Sequence, residues 1–230
     1  MTTLVLLPGM DGTGKLFQPF VRELPADWRV IVVSYPPDDR QGYAELTSLA
    51  QAAVPAEGPV VVLGESFSGP IAIRLASCLG SRVQALVLCC TFACNPRPEL
   101  ARFGGIVSVL PSPALVPGPV AARVMLGTRA SAETRMLFAQ VLRELPAAVL
   151  RARLREVMKV DVIAPLSRLQ CRVLCLQARQ DLLLPRAAAA EMRQALPSLQ
   201  FVDIEGPHGL LQAAPRQAAA ALSSFLGRGG

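Results

Sequence analysis

The stretch from Pro59 to Leu79 constrains this chain more than any other. Pro59-Val60-Val61-Val62-Leu63 reads as a buried strand, and Pro70 to Leu79 carries helical spacing. Only six residues, Gly64-Glu65-Ser66-Phe67-Ser68-Gly69, join them. A strand can turn into a helix this abruptly only where the residues flanking the apex are small, because the two backbones close on each other. Gly64 meets that need on one side, and Ser68 with Gly69 on the other. The turn therefore places Ser66 at its apex, in a strained backbone geometry and with its hydroxyl displayed at the end of a strand. Ser68 departs from the usual pattern, which has glycine there.

The remainder of the chain repeats the same grammar. Apolar runs occur at Leu4–Leu7, Val30–Val33, Val60–Leu63, Ala85–Leu88, Val173–Leu176 and Leu199–Ile204. Helical periods lie between most of them, at Leu16–Leu24, Tyr43–Val54, Pro70–Leu79, Arg186–Leu196 and Leu211–Leu226. Alternation of this kind predicts an α/β fold with a parallel sheet of about six strands and helices on both faces. With 230 residues, of which 52% are hydrophobic, a single domain spanning residues 1–230 is expected. One segment, about 91–165, breaks the rhythm. It holds the proline-rich stretch Leu110 to Pro119 and then helical pieces, and it is expected to form a helical cap above the sheet. On Ala147–Val160 an apolar stripe is expected from Val149, Leu150, Leu154, Val157 and Met158, with Arg151, Arg153, Arg155 and Lys159 mostly off it.

Composition excludes several classes of function. No run approaches the roughly 20 apolar residues of a membrane span, so no stable membrane insertion is expected. Met1 to Pro8 lacks a basic n-region and reads as a first strand, which makes a cytoplasmic location the expectation. The net charge of +6 comes almost entirely from scattered arginines, the lysines being Lys15 and Lys159. No basic block with interleaved aromatics supports a nucleic-acid partner. The cysteines (Cys78, Cys89, Cys90, Cys94, Cys171 and Cys175) form no C-x-x-C pair, and one histidine offers little for a metal. No metal or cofactor is expected, and reduced, buried thiols are.

A serine nucleophile needs a base within hydrogen-bond reach. His208 is the chain's one histidine, in Glu205-Gly206-Pro207-His208-Gly209-Leu210, between the last strand pattern and the last helix. Strand C-termini of a parallel sheet share one edge, so this loop should emerge beside Ser66. Asp181, just past the strand Cys171–Gln177, is the candidate for orienting the imidazole. Asp203 lies within a strand pattern, Asp161 precedes its strand, and Glu65 should point away from the nucleophile. Backbone N–H groups of Phe67 and Met10 are the candidates for an oxyanion hole, Met10 from the loop Leu7 to Gly14. Asp11 is expected to pin that loop through Asx-type bonds. The loop also fits G-x-x-x-x-G-K, but Leu16 stands where a phosphate loop needs a hydroxyl for magnesium. Lys15 is expected to face solvent.

Taken together, these motifs resemble the α/β-hydrolase fold superfamily over nearly the whole chain. L-P-G-x-D-G-T-G with G-E-S-F also resembles the hydrolase-like segment of plant phytyl ester synthases and small related bacterial esterases. Pro8 stands where a histidine is common. The resemblance implies a serine esterase acting on small apolar esters through Ser66, Asp181 and His208. It also implies that two antiparallel edge strands of the prototype are missing. An alcohol could replace water as acyl acceptor, and a non-catalytic binding role is the rival from another class. Phe92, Phe103, Leu110, Leu115, Val116, Met125 and Leu126 are the expected lining of an acyl site.

Overall fold

The computed structural model describes residues 2–101 and 118–227. Its sheet contains β1 (Thr3–Leu7), β2 (Arg29–Val32), β3 (Val60–Glu65), β4 (Val83–Cys89), β5 (Arg172–Ala178) and β6 (Gln200–Ile204). The order is β2-β1-β3-β4-β5-β6, with every neighbouring pair parallel. All six apolar runs thus form strands of one sheet. The helices are α1 (Gln18–Val21), α2 (Tyr43–Ala53), α3 (Gly69–Leu79), α4 (Pro98–Ala101), α5 (Gly118–Leu126), α6 (Ala132–Glu144), α7 (Ala147–Val157), α8 (Ile163–Ser167), α9 (Arg186–Ala195), α10 (Leu210–Ala213) and α11 (Pro215–Gly227).

Alternate strand residues feed two cores. Val5, Leu7, Val60, Val62, Leu86, Leu88 and Val173 pack with Leu46 of α2, Ile71 and Leu75 of α3 and Met192 of α9. Leu4, Leu6, Val61, Leu63, Val87 and Leu174 pack with Phe20 of α1, Leu211 of α10 and Leu222 and Phe225 of α11. A sheet covered on both faces needs the continuous apolar runs seen in the sequence rather than an alternating pattern.

Prolines explain where helices depart from the expected spans. The helix expected over Leu16–Leu24 is a 3-10 turn, Lys15–Phe17, followed by the short α1; Pro25 ends the segment, since a residue before proline is driven from helical geometry. The one expected over Leu211–Leu226 divides into α10 and α11 at Ala214, the residue before Pro215, whose ψ is 48°.

Between β4 and β5 the chain makes its helical excursion, and the two ends of that excursion meet. Cys94 and Asp161 form an isolated antiparallel bridge. Val162 N donates to Ala93 O (2.7 Å) and Asn95 N to Val160 O (3.0 Å), so the segment leaves and returns through one neck. Leu126 of α5 and Phe138 and Val141 of α6 share a small cluster with Leu16. Of the expected acyl-site residues, Phe103, Leu110, Leu115 and Val116 lie outside the described residues. Phe92 belongs to the main core, and Leu126 to the α5–α6 cluster.

Two side-chain expectations are corrected. Arg153 is on the buried stripe of α7, not off it: the buried residues are Val149, Leu150, Ala152, Arg153 and Val157. Positions 149, 153 and 157 follow a four-residue spacing and share one helix face. All six cysteines are free, but only Cys89, Cys90 and Cys175 are buried, and Cys78 is exposed. Among the described residues, no helix is long and apolar enough to cross a membrane, and no group of three or more metal-ligating side chains gathers.

Candidate active site

Ser66 follows directly on β3 and adopts φ of +50°, a left-handed conformation rare for a residue with a side chain. Such a conformation costs on the order of 1–3 kcal/mol and persists only where the surroundings fix it. They do so here from both sides. A Cβ on Gly64 would lie 2.6 Å from Ala72 Cβ and 2.6 Å from Ser68 O. A Cβ on Gly69 would run into the Thr91 side chain. Thr91, two residues past β4, donates its hydroxyl to the Ser66 carbonyl. The strand-to-helix junction therefore has the tight geometry that its small residues imply.

The three residues proposed from sequence meet in one hydrogen-bonded chain. Ser66 Oγ is 2.8 Å from His208 Nε2, and His208 Nδ1 is 2.8 Å from Asp181 Oδ2. His208 is 2% exposed. Asp181 Oδ1 accepts from the N–H groups of Leu183 (2.8 Å) and Leu184 (3.0 Å), which fixes the carboxylate plane. Burial works to raise the pKa of Asp181. The hydrogen bond and charge of His208, with the two backbone donors, outweigh it and hold the carboxyl below the usual range. An ionised carboxylate on Nδ1 keeps the proton on that nitrogen and leaves Nε2 free to accept from a serine hydroxyl.

On the other side of Ser66 lies the β1 loop. Gly12 N donates to Gly9 O (3.0 Å), closing a turn with Met10 and Asp11 at its centre. Asp11 Oδ2 accepts from Thr13 N (2.9 Å) and Thr13 Oγ1 (2.6 Å), the Asx arrangement expected of it. Ser68, at the atypical position, is fully buried and donates its hydroxyl to the Pro8 carbonyl. That leaves Tyr35 to donate to Ser68 Oγ at 2.9 Å. Burial pushes the Tyr35 phenol well above its ordinary value, so it remains a neutral donor. A glycine at position 68 would leave both partners unsatisfied, so the departure from the usual motif fastens this loop to the elbow. Arg153 joins the same region by donating to the carbonyl of Met10 at 2.7 Å and of Pro36 at 3.2 Å. Neither contact was expected from sequence; the signal for Arg153 was its four-residue spacing from Val149 and Val157.

The rival carboxylates are engaged elsewhere. Asp161 Oδ1 accepts from Ile163 N at 3.0 Å, at the start of α8, and Asp203 pairs by register with Gln177 within the sheet. Glu65 is buried and turned toward α10, where Gln212 Nε2 donates to its Oε1 at 3.0 Å. Burial first, and the nearby Asp11 charge, push the Glu65 carboxyl up to about 8 against the opposing bond from Gln212. Lys15 is exposed as expected, and its Nζ is 2.6 Å from Glu144 Oε2 on α6 in a solvent-exposed pair.

A parallel six-stranded sheet with a serine on a strained strand-to-helix turn, and histidine and aspartate on later strand-end loops, defines one structural class. A model of the alpha/beta hydrolase family matches residues 4–222. The chain belongs to that family. Among curated proteins it is similar to thioesterase TesA of Mycobacterium leprae, 30% identical over 105 residues, an alignment spanning 40% of each chain. Among solved structures, a hydrolase from Oleispira antarctica superposes with a TM-score of 0.81 at 16% identity, over 99% of this chain and 91% of that one. An esterase from Exiguobacterium antarcticum gives 0.81 at 15% identity over 99% and 92%. An enol-lactonase from Burkholderia xenovorans gives 0.76 at 16% identity over 98% and 91%.

Proposed function

We propose that this protein is a serine hydrolase that cleaves apolar carboxylic esters through an acyl-enzyme. The observation that carries the reading is the unbroken chain from Ser66 Oγ through His208 to Asp181, at 2.8 Å for each link. Ser66 Oγ attacks the ester carbonyl while His208 Nε2 takes its proton. Asp181 holds the ring and stabilises the imidazolium. The negative charge on the tetrahedral oxygen falls to the N–H groups of Phe67 and Met10, where one such donor is typically worth about 10²–10³ in rate. His208 then returns the proton to the leaving alkoxide. Water, deprotonated by the same nitrogen, releases the acid and frees Ser66. Each step uses groups of the chain itself.

The helical excursion over about 91–165 is the cap of this site in the same reading, and its apolar residues favour an apolar acyl group. Each buried methylene contributes about 0.8 kcal/mol, so kcat/KM should climb from acetate to medium-chain p-nitrophenyl esters before the pocket fills. The likeness to a thioesterase makes acyl thioesters the second substrate class to assay. Fluorophosphonate labelling tests the core of the reading. The protein should label, and Ser66→Ala should abolish both labelling and ester turnover while retaining the fold. Labelling that persists in Ser66→Ala removes Ser66 as nucleophile. New ester formed in place of free acid, when a long-chain alcohol is supplied, would make the protein an acyltransferase.

A further inference from the structure

Arg153 is among the largest fully buried side chains of the molecule, at 2% exposure, and it carries a permanent charge. Taking a guanidinium out of water costs several kcal/mol unless partners repay it. No carboxylate lies within ion-pair distance of it among the described residues; Asp11 acts on it only through its field. What surrounds the guanidinium instead is the wall behind Ser66. Nη1 takes the Met10 carbonyl and Nη2 the Pro36 carbonyl. The guanidinium carbon lies 5.9 Å from the ring centres of both Phe67 and Tyr35. Gly12, at φ +73°, leaves the space it fills, since a Cβ there would sit 2.5 Å from Nη1.

Each of those contacts belongs to the proposed oxyanion hole or to its support. Met10 and Phe67 are the two residues whose N–H groups would bind the oxyanion. Tyr35 donates to Ser68, which in turn holds the carbonyl of Pro8. We infer that Arg153, reaching from α7 of the excursion into the β1 loop, is a positioning residue that fixes both halves of the oxyanion hole at once. The inference rests on the oxyanion assignment given above. Its physical content is simple: the bond to the Met10 carbonyl fixes the backbone on the C-terminal side of that residue. On the other donor's residue, the cation 5.9 Å from the Phe67 ring centre adds to the hold of Tyr43, which stacks on that ring at 4.8 Å. The positive charge of the guanidinium also lies on the side of the site where negative charge would develop.

The test compares wild type, Arg153→Met and Arg153→Lys by steady-state kinetics, thermal melting and affinity for phenylboronic acid. That boronic acid forms a tetrahedral anionic adduct on a serine, with an oxygen in the place of the oxyanion. In Arg153→Met, kcat should fall by about 10–100-fold with KM within about threefold, as expected when donors are misplaced rather than removed. Boronate affinity should weaken by the same factor as kcat/KM. Arg153→Lys, which can reach one carbonyl but cannot fork between two, should fall between the two and should fold if the methionine variant does not. A lowered melting temperature with kcat and boronate affinity unchanged in either variant would make Arg153 a packing residue and overturn the inference. Wild type that neither labels with fluorophosphonate nor binds boronate would overturn the hydrolase reading itself, and this inference with it.

Discussion

On the histidine side of the site, the loops after β5 and β6 are tied together by main chain. Arg179 N donates to Ile204 O and Gln180 N to Gly206 O, both at 3.0 Å. Gly209 N donates to Met125 O of α5 at 2.7 Å. On the serine side one main-chain bond, Tyr35 N to Gly12 O at 2.7 Å, joins the β1 and β2 loops. Most of the other fastenings there are side chains: Ser68 to Pro8, Tyr35 to Ser68, Thr91 to Ser66, and Arg153 to Met10 and Pro36. Main-chain ties follow from strand register and survive most substitutions. Side-chain ties depend on the residue at each position. The histidine side should therefore be sensitive mainly at His208, Asp181 and Gly209, where a Cβ would lie 2.7 Å from Met125 O, whereas the serine side should lose function in graded steps at several positions.

The largest effect should be on the tolerant side, at its one indispensable carboxylate. Asp181→Asn keeps an oxygen for the Leu183 and Leu184 N–H groups, so the loop and the fold should remain. The amide no longer selects the Nδ1–H tautomer, and kcat should drop on the order of 10⁴-fold. Asp203→Asn, on the neighbouring strand β6 at an exposed sheet position, should leave kcat unchanged. If Asp203→Asn proved damaging and Asp181→Asn harmless, the orienting acid would be misassigned and the histidine side would not be as simple as its main-chain ties suggest.

Next comes Glu65, which sits between the two sides and links the elbow to α10 through Gln212. The charged or titratable groups acting on it are Asp11 of the β1 loop, and Cys89 of β4 feels it in return. Its folded value of about 8 exceeds the ordinary 4.5, so the proton is bound more tightly in the folded state. Stability from this source is complete below about pH 4.5, declines as the unfolded chain ionises and the folded one does not, and levels off above about pH 8. Each unit of difference corresponds to about 1.4 kcal/mol, an upper figure for a real protein that relaxes. Asp181 works the opposite way, its lowered value adding stability above the ordinary carboxylate range that is lost on acidification. Glu65→Gln, which keeps a carbonyl oxygen for Gln212, should therefore remain flat between pH 5 and pH 8 where wild type loses melting temperature. Parallel melting curves for the two proteins would refute a buried neutral Glu65.

Ser68→Ala probes the serine side directly. It strands the Tyr35 hydroxyl and the Pro8 carbonyl in a buried place, which typically costs about 1–3 kcal/mol per unsatisfied group. Turnover should fall by about tenfold, because the β1 loop loses its tie to the elbow. Ser68→Gly should behave no better, although glycine is the commoner residue in such turns. Full activity in Ser68→Gly would show that Arg153 and the main-chain bond from Tyr35 N to Gly12 O hold the loop without Ser68.

These contrasts also explain what the sequence made legible. Central strands buried on both faces must be continuous apolar runs, and the partly exposed edge strands β2 and β6 still carry enough Val, Ile and Phe to be found beside them. Ser66, Asp181 and His208 could be placed because each follows a strand, and strand ends of a parallel sheet converge. Glu65 could be excluded because successive strand residues face opposite ways. Charge argues against burying Arg153 and spacing argues for it: a cation three and four residues from apolar neighbours on one stripe is buried when backbone carbonyls await it. Sequence shows only the small size of Ser68, since its partners, Pro8 and Tyr35, come from loops after two other strands. Hydrophobicity alone does not distinguish a pocket wall from a core, and Phe92 and Leu126 pack into apolar clusters.

The smallest effect should come from the other cation between the β1 loop and the excursion. Lys15 reaches Glu144 of α6 at 2.6 Å, but both side chains are more than 40% exposed. Water solvates each partner nearly as well as they solvate each other, ordering two long side chains opposes the pairing, and salt screens what remains. Lys15→Ala should thus leave kcat, KM and melting temperature within experimental error at 0.15 M salt. Arg153, by contrast, is withdrawn from water and bonded to backbone, so its loss should register strongly in kcat. The same variant tests the rejected phosphate-loop reading of Gly9 to Lys15, in which the lysine would be indispensable. A large loss of activity in Lys15→Ala would reopen that reading and would place the working cation of this loop at its surface end rather than at its buried one.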